Sequence, residues 1–72
     1  MATILANVTR WIDEHHRLGA KQIGVSCNPI RRELYVTADG YREIYKCHSR
    51  QETAMFKEIL HEHIARLQKV EV

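Results

Sequence analysis

The stretch ELYVTADGYREIYKCHSRQE, residues 33–52, decides the fold. Residues 33–38 set Leu34, Val36 and Ala38 on one side and Tyr35 and Thr37 on the other, the period-two pattern of a half-buried strand. Asp39-Gly40 marks a tight turn, and residues 41–48 return as the second arm of a hairpin. Ser49-Arg50-Gln51-Glu52 then matches the S-x-x-E capping box, in which the Ser hydroxyl and the Glu carboxylate satisfy free backbone N–H groups at a helix start.

The register of this hairpin has consequences for the surface. A two-residue Asp39-Gly40 loop pairs Ala38 with Tyr41 and Val36 with Glu43, which carries the Glu43 carboxylate to the apolar face. A three-residue loop, Ala38-Asp39-Gly40 with Gly40 left-handed in a G1-type bulge, pairs Leu34 with Ile44 instead. That second register is the one expected, because it buries no charge. It sets Tyr35, Tyr41 and Tyr45 together on the outer face of the sheet with Glu33, Thr37 and Glu43.

Downstream, Met55, Phe56, Ile59, Leu60, Ile64, Leu67 and Val70 recur at helical spacing and predict a helix of about five turns. Glu58, Glu62 and Arg66 lie four apart on its water-facing side. Upstream, residues 22–27 alternate Ile23, Val25 and Cys27 against Gln22, Gly24 and Ser26, a further strand that Asn28-Pro29 ends. Residues 4–18 carry Ile4, Leu5, Val8, Trp11, Ile12 and Leu18 at three- and four-residue steps, with Thr3 as N-cap and Gly19 as the stop. The predicted fold is α+β in the order α-β-β-β-α, a three-stranded antiparallel sheet with both helices packed on one face. The whole chain, residues 1–72, is read as a single domain.

At 72 residues a chain buries only about 60% of its unfolded surface, which leaves little room for an enclosed substrate cavity. Eleven Lys and Arg against nine Asp and Glu give a formal net charge of +2, short of the concentrated charge of a dedicated nucleic-acid binder. No apolar run approaches the roughly 20 residues of a membrane span, and no membrane partner is expected. The chain reads as cytoplasmic, with Cys27 and Cys47 reduced.

Five histidines and two cysteines raise the question of zinc. On a helix His61 and His63 point about 200° apart and His15 and His16 about 100° apart, so neither pair shares a metal. Cys47 and His48 alternate faces on a strand, and no C-x-x-C occurs. No metal site or other cofactor is predicted. Gly19, Gly24 and Gly40 are isolated and form no phosphate-binding loop. No nucleophile and base, and no paired carboxylates, are tied together by a motif, so no catalytic residue is assigned.

With its helix over residues 4–18, the Arg31-Arg32 loop between the first two strands and the start of the Ser49 helix, the layout resembles the double-stranded-RNA-binding domain. That family opens its second helix with a K-K-x-A-K pattern that grips phosphates. Here the matching residues are Arg50-Gln51-Glu52-Thr53-Ala54, one cation and one carboxylate, so most of the charge that RNA affinity draws on is missing. The resemblance implies the fold, and as an alternative a nucleic-acid contact through Arg31, Arg32, Arg50 and Lys57.

The functional expectation is a non-enzymatic binding protein, an adaptor or inhibitor acting by protein-protein contact, with a second copy of itself among the candidate partners. The residues chosen for that contact are Tyr35, Tyr41 and Tyr45, whose rigid amphipathic rings are the kind enriched at interfaces, with Arg31 and Arg32 at the sheet edge. In size and simplicity the chain resembles accessory proteins of phages and plasmids.

Overall fold

A computed structural model describes residues 3–69. The order is α1 (Ile4–Arg17), β1 (Ile23–Asn28), β2 (Glu33–Ala38), β3 (Tyr41–Lys46) and α2 (Arg50–Gln68). This is the predicted α+β topology. The strands form one antiparallel sheet in the order β1-β2-β3. Val8 and Ile12 of α1, Leu60 and Ile64 of α2, and Ile23, Leu34, Val36 and Ala38 of the sheet share the buried core with Cys47, so both helices cover the same sheet face.

Local chemistry sets each boundary. The Thr3 hydroxyl accepts from the Ala6 N–H and caps α1. At the other end Gly19, with φ +99°, donates to the His16 carbonyl, and Ala20 donates to that of His15. These are the two bonds of a Schellman stop, and Gly19 adopts the left-handed turn without a side-chain clash. The capping box opens α2 as predicted: the Ser49 hydroxyl accepts from Glu52 N–H at 3.0 Å, and the Glu52 carboxylate accepts from His48 N–H at 2.7 Å.

The hairpin departs from expectation. The loop is the two-residue Asp39-Gly40 turn, with Ala38 opposite Tyr41, Val36 opposite Glu43 and Leu34 opposite Tyr45. Both turn residues have positive φ, +49° and +97°, the type I′ geometry that matches strand twist. Asp39 tolerates it because its carboxylate accepts from the backbone N–H of Gln22 at 2.8 Å and of Lys21 at 3.0 Å, groups that open β1 and lack a helical or ladder partner. The feared burial of Glu43 does not arise. β3 is an edge strand whose outer margin lies past the helices, and Glu43 is exposed there.

Two further apolar assignments shift. On α2 the buried side is Thr53, Leu60 and Ile64, flanked by Phe56 and Leu67, while Met55 and Ile59 are 57% and 45% exposed. The sheet is only three strands wide, with α1 over β2 and β3 and α2 over β1 and β2. The two helices touch without closing over each other, so the flank of the predicted stripe stays in water. Thr53 is buried at no cost in lost hydrogen bonds because its hydroxyl donates to the Ser49 carbonyl at 2.8 Å. Leu18, counted in the α1 stripe, is 84% exposed, since it caps the helix rather than continuing it. Val70 lies outside the described residues.

The Gln22 and Lys21 N–H groups hold the Asp39 carboxyl below its ordinary pKa. Its contribution to stability is therefore present above the unfolded-chain carboxyl pKa and is lost as the pH falls through the lower folded value. Urea midpoints should drop on acidification, and Asp39→Asn should lower the neutral-pH midpoint and flatten that drop; an unaltered acid profile would contradict this role for the turn.

Candidate protein-contact surface

The I′ register separates the three tyrosines. In an antiparallel sheet residues opposite one another share a face, so Tyr41 and Tyr45 lie on the helix-bearing face with Ala38 and Leu34, and Tyr35 lies on the open face opposite Ile44. The expected tyrosine trio on the open face is therefore not formed.

On that open face Tyr35 is held by its neighbours. Its hydroxyl donates to the Glu33 carboxylate at 2.6 Å, Arg31 Nε stands 3.8 Å from the same carboxylate, and the Arg42 guanidinium lies 5.9 Å from the ring centroid. The hydrogen bond lowers the Glu33 pKa and raises that of Tyr35. Ile44, 50% exposed, is the large apolar side chain left free beside this group.

Tyr41 and Tyr45 join a different set of side chains along the seam where α1 crosses β3. Trp11 and His15, one helical turn apart, stack with ring centroids 3.9 Å apart, and His15 lies 6.3 Å from Tyr41. His15 is oriented by Nδ1, which stands 2.9 Å from the Trp11 carbonyl. Two shallow depressions flank this aromatic row. One, of about 320 Å³, is bordered by His15, Leu18, Ala38 and Tyr41, and the other, of about 290 Å³, by Asn7, Arg10, Trp11, Glu14 and Tyr45. Tyr45 is half-buried, and that burial together with the nearby Glu43 carboxylate raises its hydroxyl pKa against the opposing pull of Arg10. Tyr41 is 70% exposed and Leu18 84%. The seam thus presents large amphipathic and apolar side chains, with charged groups at its margin, the composition of interface anchors.

The cationic residues gather elsewhere. The Cys47 N–H donates to the Arg32 carbonyl at 2.7 Å, which ties the chain entering α2 to the loop between β1 and β2. Arg31, Arg32 and Arg50 accordingly share one end of the molecule. Lys57 is seven residues beyond Arg50 in α2, two helical turns along the same side. Arg31 is already drawn to Glu33.

Among the described residues no three His, Cys, Asp or Glu side chains converge as metal ligands do. His63 instead joins the helices through Asp13, Nε2 to Oδ1 at 2.7 Å. No described helix is long and apolar enough to cross a membrane. Comparison of the chain with protein-family models, with curated proteins and with solved structures finds no match.

Sequence reading assigned none of Trp11, His15 and Leu18 to a contact surface; Trp11 and His15 are half-buried and Leu18 is exposed. The four-residue spacing of Trp11 and His15 was a usable signal for adjacency on a helix, but which strand they meet depends on the hairpin register. The two thiols also differ: Cys47 is buried, and burial raises its pKa against the opposing hydrogen bond with Thr53, whereas Cys27 is only half-buried. Iodoacetamide at mildly alkaline pH should therefore alkylate Cys27 faster than Cys47 in the native chain, with the difference lost in urea; equal native rates would show that Cys47 is not sequestered.

Proposed function

We propose that this protein is a small non-enzymatic binding protein, an adaptor or inhibitor, that engages a protein partner through the seam between α1 and β3. The observation that carries the reading is the Trp11–His15–Tyr41 aromatic row beside the exposed Leu18. Rigid rings lose little conformational entropy on docking, and covering them removes apolar area from water. Arg10 and Glu14 at the margin favour a polar rim around that centre. The open-face group at Tyr35 is a weaker candidate, because its hydrogen bond and cation contact are already satisfied within the chain.

The test compares affinity capture from cells of origin by the native chain and by a Leu18→Ser, Tyr41→Ser double variant, with circular dichroism as the folding control. The variant should bind the captured partner about 30-fold or more weakly, the loss of an interface centre worth roughly 2 kcal/mol or more. Tyr35→Ser should leave binding intact. Unaltered capture by the double variant together with loss in Tyr35→Ser would move the contact to the open face.

A second reading follows from the shared end of Arg31, Arg32 and Arg50, with Lys57 along α2: a nucleic-acid contact of the kind the double-stranded-RNA-binding-domain resemblance implies. The Arg31–Glu33 pair and Glu52 at the start of α2 oppose it by placing carboxylates among the cations. It requires a duplex-RNA gel shift that weakens steeply with salt, with a log–log slope of about −0.9 per phosphate neutralised for a B-form duplex as a guide. No shift at low ionic strength would eliminate it.

A further inference from the structure

β1 and β3 are the two edges of the sheet, and edge strands expose unpaired backbone groups that recruit another strand unless something prevents it. Which groups face outward follows from the hydrogen-bond phase. Asp39 N–H donates to the Gln22 carbonyl at 2.9 Å, one step beyond the Ile23–Ala38 pair. Bonded and non-bonded pairs alternate, so Gly24, Ser26 and Asn28 turn their N–H and C=O toward β2, and Ile23, Val25 and Cys27 turn theirs to the free edge. By the same reasoning the Cys47 N–H bond to the Arg32 carbonyl leaves Arg42, Ile44 and Lys46 facing outward from β3.

The edges differ in protection. β3 carries Arg42, Glu43 and Lys46, whereas β1, Ile-Gly-Val-Ser-Cys-Asn, has neither a charge nor a proline. Its apolar side chains belong to the core layer, yet Val25 and Cys27 are only half-buried at the margin. Beside the first half of this strand the flank of α2 presents no Lys, Arg, Asp or Glu, and Lys57 lies one helical turn further toward the helix start. His61, Ile64, Ala65 and Gln68 border a shallow groove of about 260 Å³ with Ile23, Gly24 and Val25.

We propose that a second copy of this chain pairs with β1, antiparallel and edge to edge, about a two-fold axis at Val25. In this register Val25 lies opposite Val25 of the second copy and Ile23 opposite its Cys27, so every outward N–H and C=O of both β1 strands is bonded. Gly24 faces Ser26 on the open side, and the apolar residues of the two cores run on continuously. The equivalent pairing of β3 about Ile44 would set Arg42 against Lys46 at both ends, with like charges directly opposite. Self-complementarity therefore belongs to β1. The result is a continuous sheet with β3 at both outer edges, a two-fold arrangement typical of small homodimers. It leaves the two seams between α1 and β3 at opposite ends and makes the assembly bivalent. The inference goes beyond the partner contact proposed above and does not depend on it.

Sedimentation of the full chain should give twice the 8.5 kDa monomer mass. Val25→Cys, in a Cys27→Ser, Cys47→Ala background, should crosslink on oxidation, because opposed bonded residues lie about 5.5 Å apart between Cα atoms, within disulfide reach. Ile44→Cys in that background should not. Val25→Lys sets two ammonium groups at the axis and should yield a folded monomer by circular dichroism and sedimentation; if it fails to fold, the crosslinking pair still decides. A chain that remains monomeric up to about 1 mM, or one that crosslinks through Ile44→Cys as readily as through Val25→Cys, overturns the proposal.

Discussion

The bonds from the Asp39 carboxylate to the Lys21 and Gln22 N–H groups are the constraint on which the rest of the structure depends. They hold a non-glycine residue at positive φ, satisfy donors at the entry to β1, and close the hairpin in two residues. Side-chain alternation has a period of two, so this choice of loop length sets the face of every residue in β3. It sends Tyr41 and Tyr45 to the helix-bearing face and Ile44 to the open face.

A narrow sheet then shapes the surface. Three strands under two helices leave the helices touching mainly through the core and the His63–Asp13 contact, and β3 extends past their cover. That overhang accepts Glu43 without burying its charge and gives Tyr41 its exposure beside the Trp11–His15 stack. The same narrowness leaves Met55 and Ile59 in water, although their spacing matches a core stripe. In a larger protein a further element would cover both margins.

Where local chemistry decides the outcome, the residues themselves were enough. Thr3, Gly19 and the Ser49–Glu52 box each act through hydrogen bonds to atoms within a few residues, so their roles can be read from spacing. The core positions Val8, Ile12, Leu34, Val36, Leu60 and Ile64 were legible for a related reason: helical and strand periods place them on one side whatever the details of packing. The candidate contact surface was not legible in this way. Its members come from α1, the segment after it and β3, and they meet only once the hairpin register is chosen.

The amino-acid sequence by itself determined the order of elements, their caps and the apolar faces of β1 and β2, because these follow from contacts near in sequence. Only the tertiary structure decided the loop length at Asp39-Gly40, since the bonds that select it come from Lys21 and Gln22, a strand away. From that decision follows the separation of Tyr35 from Tyr41 and Tyr45. The burial cost that favoured the other register presumed a covered strand, and cover is a property of how far the helices reach over the sheet.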